Sequence, residues 1–173
     1  YPIYLRRKIT VIPNAIKPPT GYQKFGGVKP SFVFAGRFSF QKQLLPLIEA
    51  FSLHIKDYPN SRLNIFGKGE QLGEIESKIQ KSGLTDKVIV HGPVENISKA
   101  LSSGNILCVT SKWEGFPNVL AESLSVGIPG IGFKNCDGVS DLIQDGVNGW
   151  LENDDGTTKP FETLLNRAAK SIE

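Results

Sequence analysis

Ser111-Lys112-Trp113-Glu114-Gly115-Phe116-Pro117-Asn118-Val119-Leu120-Ala121-Glu122 is the stretch from which the rest of this chain is read. A predicted strand, Asn105 to Val109, precedes it, and a helical run from Pro117 to Val126 follows. Pro is favoured at the first helical position, where its missing N–H would go unpaired in any case, so the helix is expected to start at Pro117. Its N-terminus then faces the carboxyl end of the strand, the place where ligands bind in an open α/β sheet. Free N–H groups and a partial positive charge make such a terminus hospitable to phosphate. Glu114 stays on the loop, while Glu122 lies about one and a half turns into the helix. Helical side chains lean toward the N-terminus, so Glu122 can reach toward Asn118 and Val119, and both carboxylates can flank one ligand. Carboxylate oxygens are acceptors, suited to the hydroxyls of a sugar or ribose ring. The plain alternative is an acidic loop residue plus an exposed helix Glu.

Outward from this segment, short apolar runs bounded by Gly, Pro and Asn alternate with helical stretches. Strands are predicted at Ser31 to Ala35, Arg62 to Phe66, Lys87 to His91, Asn105 to Val109 and Ile128 to Phe133, with a last one near Trp150. Helices are predicted at Gln43 to Asp57, Gln71 to Ser82, Asn96 to Ser102, Pro117 to Val126, Val139 to Gln144 and Phe161 to Ile172. Strict alternation implies an α/β fold: a Rossmann-like three-layer α/β/α domain with a parallel sheet of about six strands and right-handed crossovers. Residues 17 to 30, rich in Pro, Gly and Lys, read as a linker or loop before the core.

The loop after the first strand is the second site element. Gly36-Arg37 leaves the strand, and Lys42 follows five residues on. Arg offers a planar two-pronged contact to phosphate and Lys a mobile point charge. Most Arg and Lys are merely solvated, but the position after a strand favours function. Gly67-Lys68-Gly69 lies between a strand and a helix; with Leu72 in the third Gly position it fails as a dinucleotide fingerprint. His54 and His91 read as structural or surface residues.

Several of these segments together resemble one family, the retaining glycosyltransferases of group 1 (family four), which have the GT-B fold. Glu114 and Glu122 match its Glu-x7-Glu motif. Val11-Ile12-Pro13-Asn14 is similar to its hinge segment, and Ala35-Gly36-Arg37-Phe38-Ser39-Phe40-Gln41-Lys42 to its phosphate-binding loop. Leu63 to Gly69 and Val88 to Val94 resemble two further strand-loop units, and Asp145-Gly146-Val147-Asn148-Gly149-Trp150-Leu151 its late Gly-rich turn. Gln43 departs from the family, which usually has Gly there. The resemblance covers only the C-terminal, donor-binding half of that fold. It implies that residues 1–30 are the end of an N-terminal domain plus the interdomain hinge, that 31–173 form the donor-binding domain, and that the terminal crossover helix lies beyond.

What the resemblance implies about chemistry is specific. The donor would be a nucleotide-diphosphate sugar, UDP by preference, with its diphosphate on Arg37 and Lys42 and its base against the backbone of Gly92-Pro93-Val94. Gly36 and Gly67 would line the nucleotide pocket. Glu114 would hold sugar hydroxyls and Glu122 the ribose, with Gly115, Phe116, Pro117, Asn118 and Val119 lining sugar and diphosphate. Glu114, Arg37 and Lys42 would carry catalysis, with retention at the anomeric carbon. No metal and no cofactor are expected, since no Asp-x-Asp occurs. A glycan or lipid-linked acceptor would be engaged through the other domain, and nucleic acid is not an expected partner. The setting by analogy is capsule, lipopolysaccharide or other cell-surface glycan assembly, in the cytoplasm or peripherally at the inner membrane face.

Composition fits this reading without selecting it. The 173 residues are 39% hydrophobic and 21% charged, ordinary for one globular domain with a sizeable core. A formal charge of +3 is a mild excess that could help to hold a diphosphate or an anionic membrane surface, but net charge alone reads as an ordinary solvated surface. Two cysteines, without metal or disulfide spacing, fit a reducing compartment. The chain begins at Tyr1 and contains no Met, so a fragment of a longer protein is expected. Two other function classes stay open: a noncatalytic nucleotide-binding module, and a sugar-nucleotide epimerase of the same architecture. A nicotinamide oxidoreductase shares the fold class but lacks its fingerprint here.

Overall fold

The computed structural model describes residue 12 and residues 14–172. Val11 and Pro13 of the expected hinge lie outside the described residues. Six strands form one sheet: β1 (Ser31–Ala35), β2 (Arg62–Phe66), β3 (Val88–Gly92), β4 (Ile106–Val109), β5 (Gly130–Phe133) and β6 (Gly149–Glu152). Their order is β3-β2-β1-β4-β5-β6, and every adjacent pair is parallel. This is the doubly wound arrangement: the chain walks outward from β1 through β2 to β3, then crosses back to β4 and walks the other way. The helices are α1 (Leu44–His54), α2 (Leu72–Lys81), α3 (Ile97–Leu101), α4 (Asn118–Ser125), α5 (Asp137–Ser140) and α6 (Lys159–Lys170). With right-handed crossovers, reversing the direction of travel moves the connecting helices to the opposite face. The contacts agree: α1 packs on α2 and α6, whereas α3 packs on β1, α4 on β4 and β5, and α5 on β5.

Burial follows from this layering. The central strands β4 and β5 are buried at every position, which is why they read as unbroken apolar runs rather than alternating ones. The edge strand β3 instead alternates, leaving Ile89 and His91 outward. Phe32, Leu47, Ile48, Phe51, Leu63 and Ile65 belong to the single core cluster that joins sheet and helices. The predicted elements are all present. Of the elements predicted with both ends, only β1 and β2 keep both; the others shift by up to four residues, as three helices illustrate. α4 starts at Asn118, with Pro117 as its extended cap (φ −77°, ψ 91°) rather than its first helical residue. α5 starts two residues earlier than expected, at Asp137. α6 spans Lys159–Lys170, with Pro160 in its first turn, where a missing N–H costs nothing. The expected linker has no regular structure, but it is tied down on α3: Ser98 Oγ and Asn96 Nδ2 donate to Thr20 O (2.5 and 3.1 Å), and Gln23 N donates to Ser102 Oγ (2.9 Å).

The Asp145 to Leu151 turn precedes β6, so it lies at the amino end of the sheet, the end opposite the loops that follow the strands. Arg167 of α6 holds it there, donating to Asp145 Oδ1 (2.9 Å), Glu152 Oε1 (2.7 Å) and Leu151 O (3.0 Å).

His54 is the one imidazole in the core, 0% exposed. Its Nδ1 meets Asn166 Oδ1 (2.5 Å), its Nε2 meets Ser61 Oγ (2.9 Å), and its ring stacks on Tyr58. Burial holds its pKa below the ordinary imidazole value; the Asn166 bond and the carboxylates of Asp57 and Glu162 offset part of that. The folded state therefore binds a proton less readily than the unfolded chain. The contribution of His54 to stability is complete above about pH 6.5 and is lost as pH falls below that value. Thermal melts between about pH 8 and about pH 5 are expected to show an acid-side decline that shrinks in His54→Gln; an identical decline in the variant would show that His54 does not couple to folding.

Candidate functional site

β1 and β4 are neighbours, but the chain leaves them in opposite directions, so their loops diverge and leave a crevice between them at the carboxyl end of the sheet. The two loops that border it are stitched together. Lys112 N donates to Gln41 O (2.9 Å), Gln41 Nε2 to Trp113 O (2.7 Å) and Thr110 Oγ1 to Lys42 O (3.0 Å). Lys42 Nζ forms an ion pair with Glu114 Oε1, and the same oxygen accepts from Ser111 Oγ (2.6 Å). Lys42 and Glu114, 72 residues apart, are thus brought together in one partly buried ion pair, a pairing not foreseen from the sequence.

A second set of contacts supports the β1 loop from below. Phe38 is fully buried, its N donates to Lys68 O (2.9 Å), and Gln71 N donates to Phe38 O (3.3 Å). Gly67 is required in this contact. Its φ is +145°, and a Cβ there would come within 1.8 Å of Gly36 O. Gly67 N also donates to Gly92 O (2.8 Å), which ties the third loop into the same frame.

These loops enclose a recess of about 380 Å³. Ala35, Gly36 and Arg37 form one wall, Gly67 and Lys68 the floor, and Pro93, Val94 and Ile97 the far wall; Val119 of α4 closes the remaining side. Six of the residues anticipated from the sequence as donor-binding line it directly: Gly36, Arg37, Gly67, Pro93, Val94 and Val119. Gly92 frames it through its carbonyl, and Lys42 adjoins it, its Cε 3.8 Å from where a Cβ on Gly36 would be. Among the described residues, no hydrogen bond or ion pair engages the side chains of Arg37 or Lys68. Two uncommitted cations therefore share one recess. Lys68 was missed from the sequence, where its segment was weighed only as a dinucleotide fingerprint; its position directly after β2 was the available signal.

The rest of the anticipated site divides. Glu114 and Gly115 stand on the loop beyond the recess, Gly115 exposed and Phe116 half-buried. Pro117 is buried, its carbonyl accepting from Leu120 N (2.9 Å) and Ala121 N (3.3 Å), so the N–H groups of the first turn of α4 remain available at Asn118 and Val119. Glu122 and Asn118 line a separate open cleft of about 500 Å³ with Asn14, Ala15, Ile16 and Lys17. There Asn14 Nδ2 donates to Asn118 Oδ1 (2.9 Å). Burial pushes the Glu122 carboxyl up from its ordinary pKa. The first turn of α4 is thus the divider: Val119 faces one cleft, Asn118 and Glu122 the other.

The Glu114 loop rests on α5. Gly138 N donates to Glu114 O (3.2 Å), and a Cβ at Gly138 would lie 2.7 Å from the carbonyl oxygens of both Glu114 and Gly115. Asp141, in the same segment, is exposed.

Comparison with known proteins accords with this geometry. The family model for glycosyl transferases group 1 matches residues 23–170. The chain is 31% identical over 147 residues to the lipopolysaccharide 1,6-galactosyltransferase of Escherichia coli, covering 82% of this chain and 40% of that protein. It is 32% identical over 119 residues to the poly(glycerol-phosphate) alpha-glucosyltransferase of Bacillus subtilis, covering 69% of this chain and 18% of that one. The chain thus spans less than half the length of either relative. Among solved structures, the apo form of the lipopolysaccharide outer core galactosyltransferase WaaB superposes with a TM-score of 0.72 at 27% identity, over 92% of this chain and 45% of that one. The pneumococcal O-GlcNAc transferase GtfA, solved with UDP and GlcNAc, shares the fold with a TM-score of 0.77 at 23% identity, over 92% of this chain and 32% of that one. The chain belongs to the group 1 glycosyl transferases, and its sheet is the Rossmann-like half of a GT-B fold.

Gly138→Ala tests the support of the Glu114 loop. The added methyl must displace backbone rather than a flexible side chain, so a loss of about 1–3 kcal/mol in unfolding free energy is expected. Denaturation curves that coincide with those of the wild type would show that the loop yields freely.

Proposed function

We propose that this chain, as a group 1 glycosyl transferase, is a donor-binding unit that holds a nucleotide-diphosphate sugar, with UDP as the preferred nucleotide. In a protein that also carries an acceptor-binding half, it would support retaining, metal-independent transfer of the sugar to a glycan or lipid-linked acceptor. The observation that carries this reading is the recess at the carboxyl ends of β1, β2 and β3, where Arg37 and Lys68 meet beside the Lys42–Glu114 pair. Its volume of about 380 Å³ is that of a small-molecule site. Pro93, Val94 and Ile97 give it an apolar wall suited to a base, and the opposite wall is cationic.

The mechanism follows from charge. Breaking the bond between the anomeric carbon and the diphosphate leaves negative charge on the departing phosphate. Arg37, Lys68, Lys42 and the first N–H groups of α4 would stabilise it, the kind of preorganised electrostatics that is often the largest catalytic contribution. Lys42 has three N–H donors, so pairing with Glu114 leaves two for phosphate oxygens. The same pairing fixes Glu114, whose other oxygen can accept from a sugar hydroxyl. In this reading the neutralisation falls to these cations alone. Glu122 is assigned to the ribose. That assignment requires the ribose to cross the first turn of α4 from the recess toward the neighbouring cleft.

Relatives name the setting. One is named as a lipopolysaccharide galactosyltransferase and another as a poly(glycerol-phosphate) glucosyltransferase, and we extend acceptors of that kind, and a cytoplasmic site of action, to this chain when joined to an acceptor-binding half. No helix among the described residues is long and apolar enough to cross a membrane.

Isothermal titration with UDP, a UDP-sugar and uridine is the direct test. Hydrogen bonds to charged groups contribute about 1.5–3 kcal/mol, so Arg37→Ala should weaken UDP binding about 10- to 100-fold and leave uridine nearly unaffected. A chelator should change nothing. Glu122→Gln should weaken UDP and UDP-sugar alike, and Glu114→Gln only the UDP-sugar. Equal losses for UDP and uridine in Arg37→Ala would contradict the diphosphate assignment, and loss of binding on chelation would contradict metal independence.

A further inference from the structure

Gln43 joins Lys42 to α1, and its backbone is left-handed, at φ 52° and ψ 38°. Among the described residues, it is the one non-glycine residue with positive φ. A side chain in this region carries a backbone strain that Gly would avoid. Turn geometry alone therefore calls for Gly at this position, and something must hold the Gln in place.

Its amide does so. The side chain is buried, and Nε2 donates one hydrogen to Thr110 O (3.1 Å) and the other to Asp154 Oδ2 (2.8 Å). Thr110 in turn donates from Oγ1 to Lys42 O (3.0 Å), so the Lys42-Gln43 segment is gripped at both its carbonyl and its amide. Asp154 is itself anchored. Its N donates to Asn135 Oδ1 (3.0 Å), its O accepts from Asn135 Nδ2 (2.9 Å), and its Oδ1 accepts from Gly156 N (2.9 Å). One buried amide thus links the loops after β1, β4 and β6, and through Asn135 the loop after β5.

We propose that Gln43 is a positioning residue for anion binding: its amide, braced between Thr110 and Asp154, sets the backbone from which Lys42 reaches Glu114 and the recess. This rests on the reading of the recess as a nucleoside-diphosphate site. The brace does work that a flexible Gly could not, because Gly would permit the turn without fixing it. Lys42 carries a long side chain, and the direction in which its ammonium points depends on how firmly its own backbone is held. Asp154 does not line the recess, and its direct link to the Lys42-Gln43 segment is the Gln43 amide.

The test is a calorimetric double-mutant cycle on the chain, with UDP and uridine as probes. Gln43→Gly keeps the left-handed turn and removes the amide; Asp154→Ala keeps Gln43 and removes its acceptor. Each is expected to weaken UDP about tenfold and uridine not at all, with the double variant no worse than either single one. Should Gln43→Gly fail to fold, Asp154→Ala carries the test alone, since residue 43 is then untouched. Unchanged UDP affinity, equal losses for UDP and uridine, or additive losses in the double variant would overturn the brace and leave the recess reading standing. A wild-type chain with no affinity for UDP would overturn the recess reading and the brace with it.

Discussion

The structure turns on one constraint: β1 and β4 lie side by side while the chain leaves them in opposite directions. Parallel strands all end at the same edge, and between two diverging loops backbone does not fill the space above the sheet. The crevice is a consequence of topology, before any side chain is considered. Side chains then decide what it can hold. The loop after β1 brings Arg37 and Lys42, the loop after β2 brings Lys68, and the loop after β4 brings Glu114 and the start of α4. Because Phe38 is buried and Gly67 sits against Gly36, the first two loops form one unit. The Gln41 and Thr110 bonds join the third to it.

Charge is distributed unevenly around this rim. Lys42 is committed to Glu114 and partly buried, whereas Arg37 and Lys68 face the recess without a protein partner among the described residues. Burying the Lys42–Glu114 pair costs desolvation of both groups, and such a pair is weak support for stability. Its value is geometric: each member fixes the other, next to the recess, at the boundary between where a diphosphate and a sugar would lie.

Much of this was legible in the sequence. β2 runs over the predicted Arg62 to Phe66, because an apolar run framed by Asn60-Ser61 and Gly67 leaves little freedom in its ends. The strand-helix alternation gave the sheet, and the position of Arg37 after β1 gave the recess. What was not legible depended on contacts distant in the chain. Lys42 meets Glu114 only once β1 and β4 are neighbours. α5 begins at Asp137 although Gly138 disfavours helix, since only Gly fits beneath the Glu114 carbonyl. Gln43 in a left-handed turn runs against its own preference and is explained by Asp154, 111 residues away. Pro117 caps α4 instead of starting it, a difference of one residue that leaves the direction of the helix N-terminus intact. Of the two glutamates of the Glu-x7-Glu motif, Glu122 lines the cleft beside Asn118 while Glu114 pairs with Lys42 on the loop, a separation that helical spacing alone did not reveal.

The central claim is that ligand binding happens at the carboxyl edge of the sheet, across β1, β2 and β3. Titration of the ¹⁵N-labelled chain with UDP, followed by amide chemical shifts, tests it most directly. The account predicts the largest changes at Gly36, Arg37, Gly67, Lys68, Val94 and Val119, with little at the Asp145 to Gly149 turn on the opposite edge. Changes centred instead on that turn, or on the recess formed by Phe25 to Ser31 beside Arg62 at the amino edge, would contradict it.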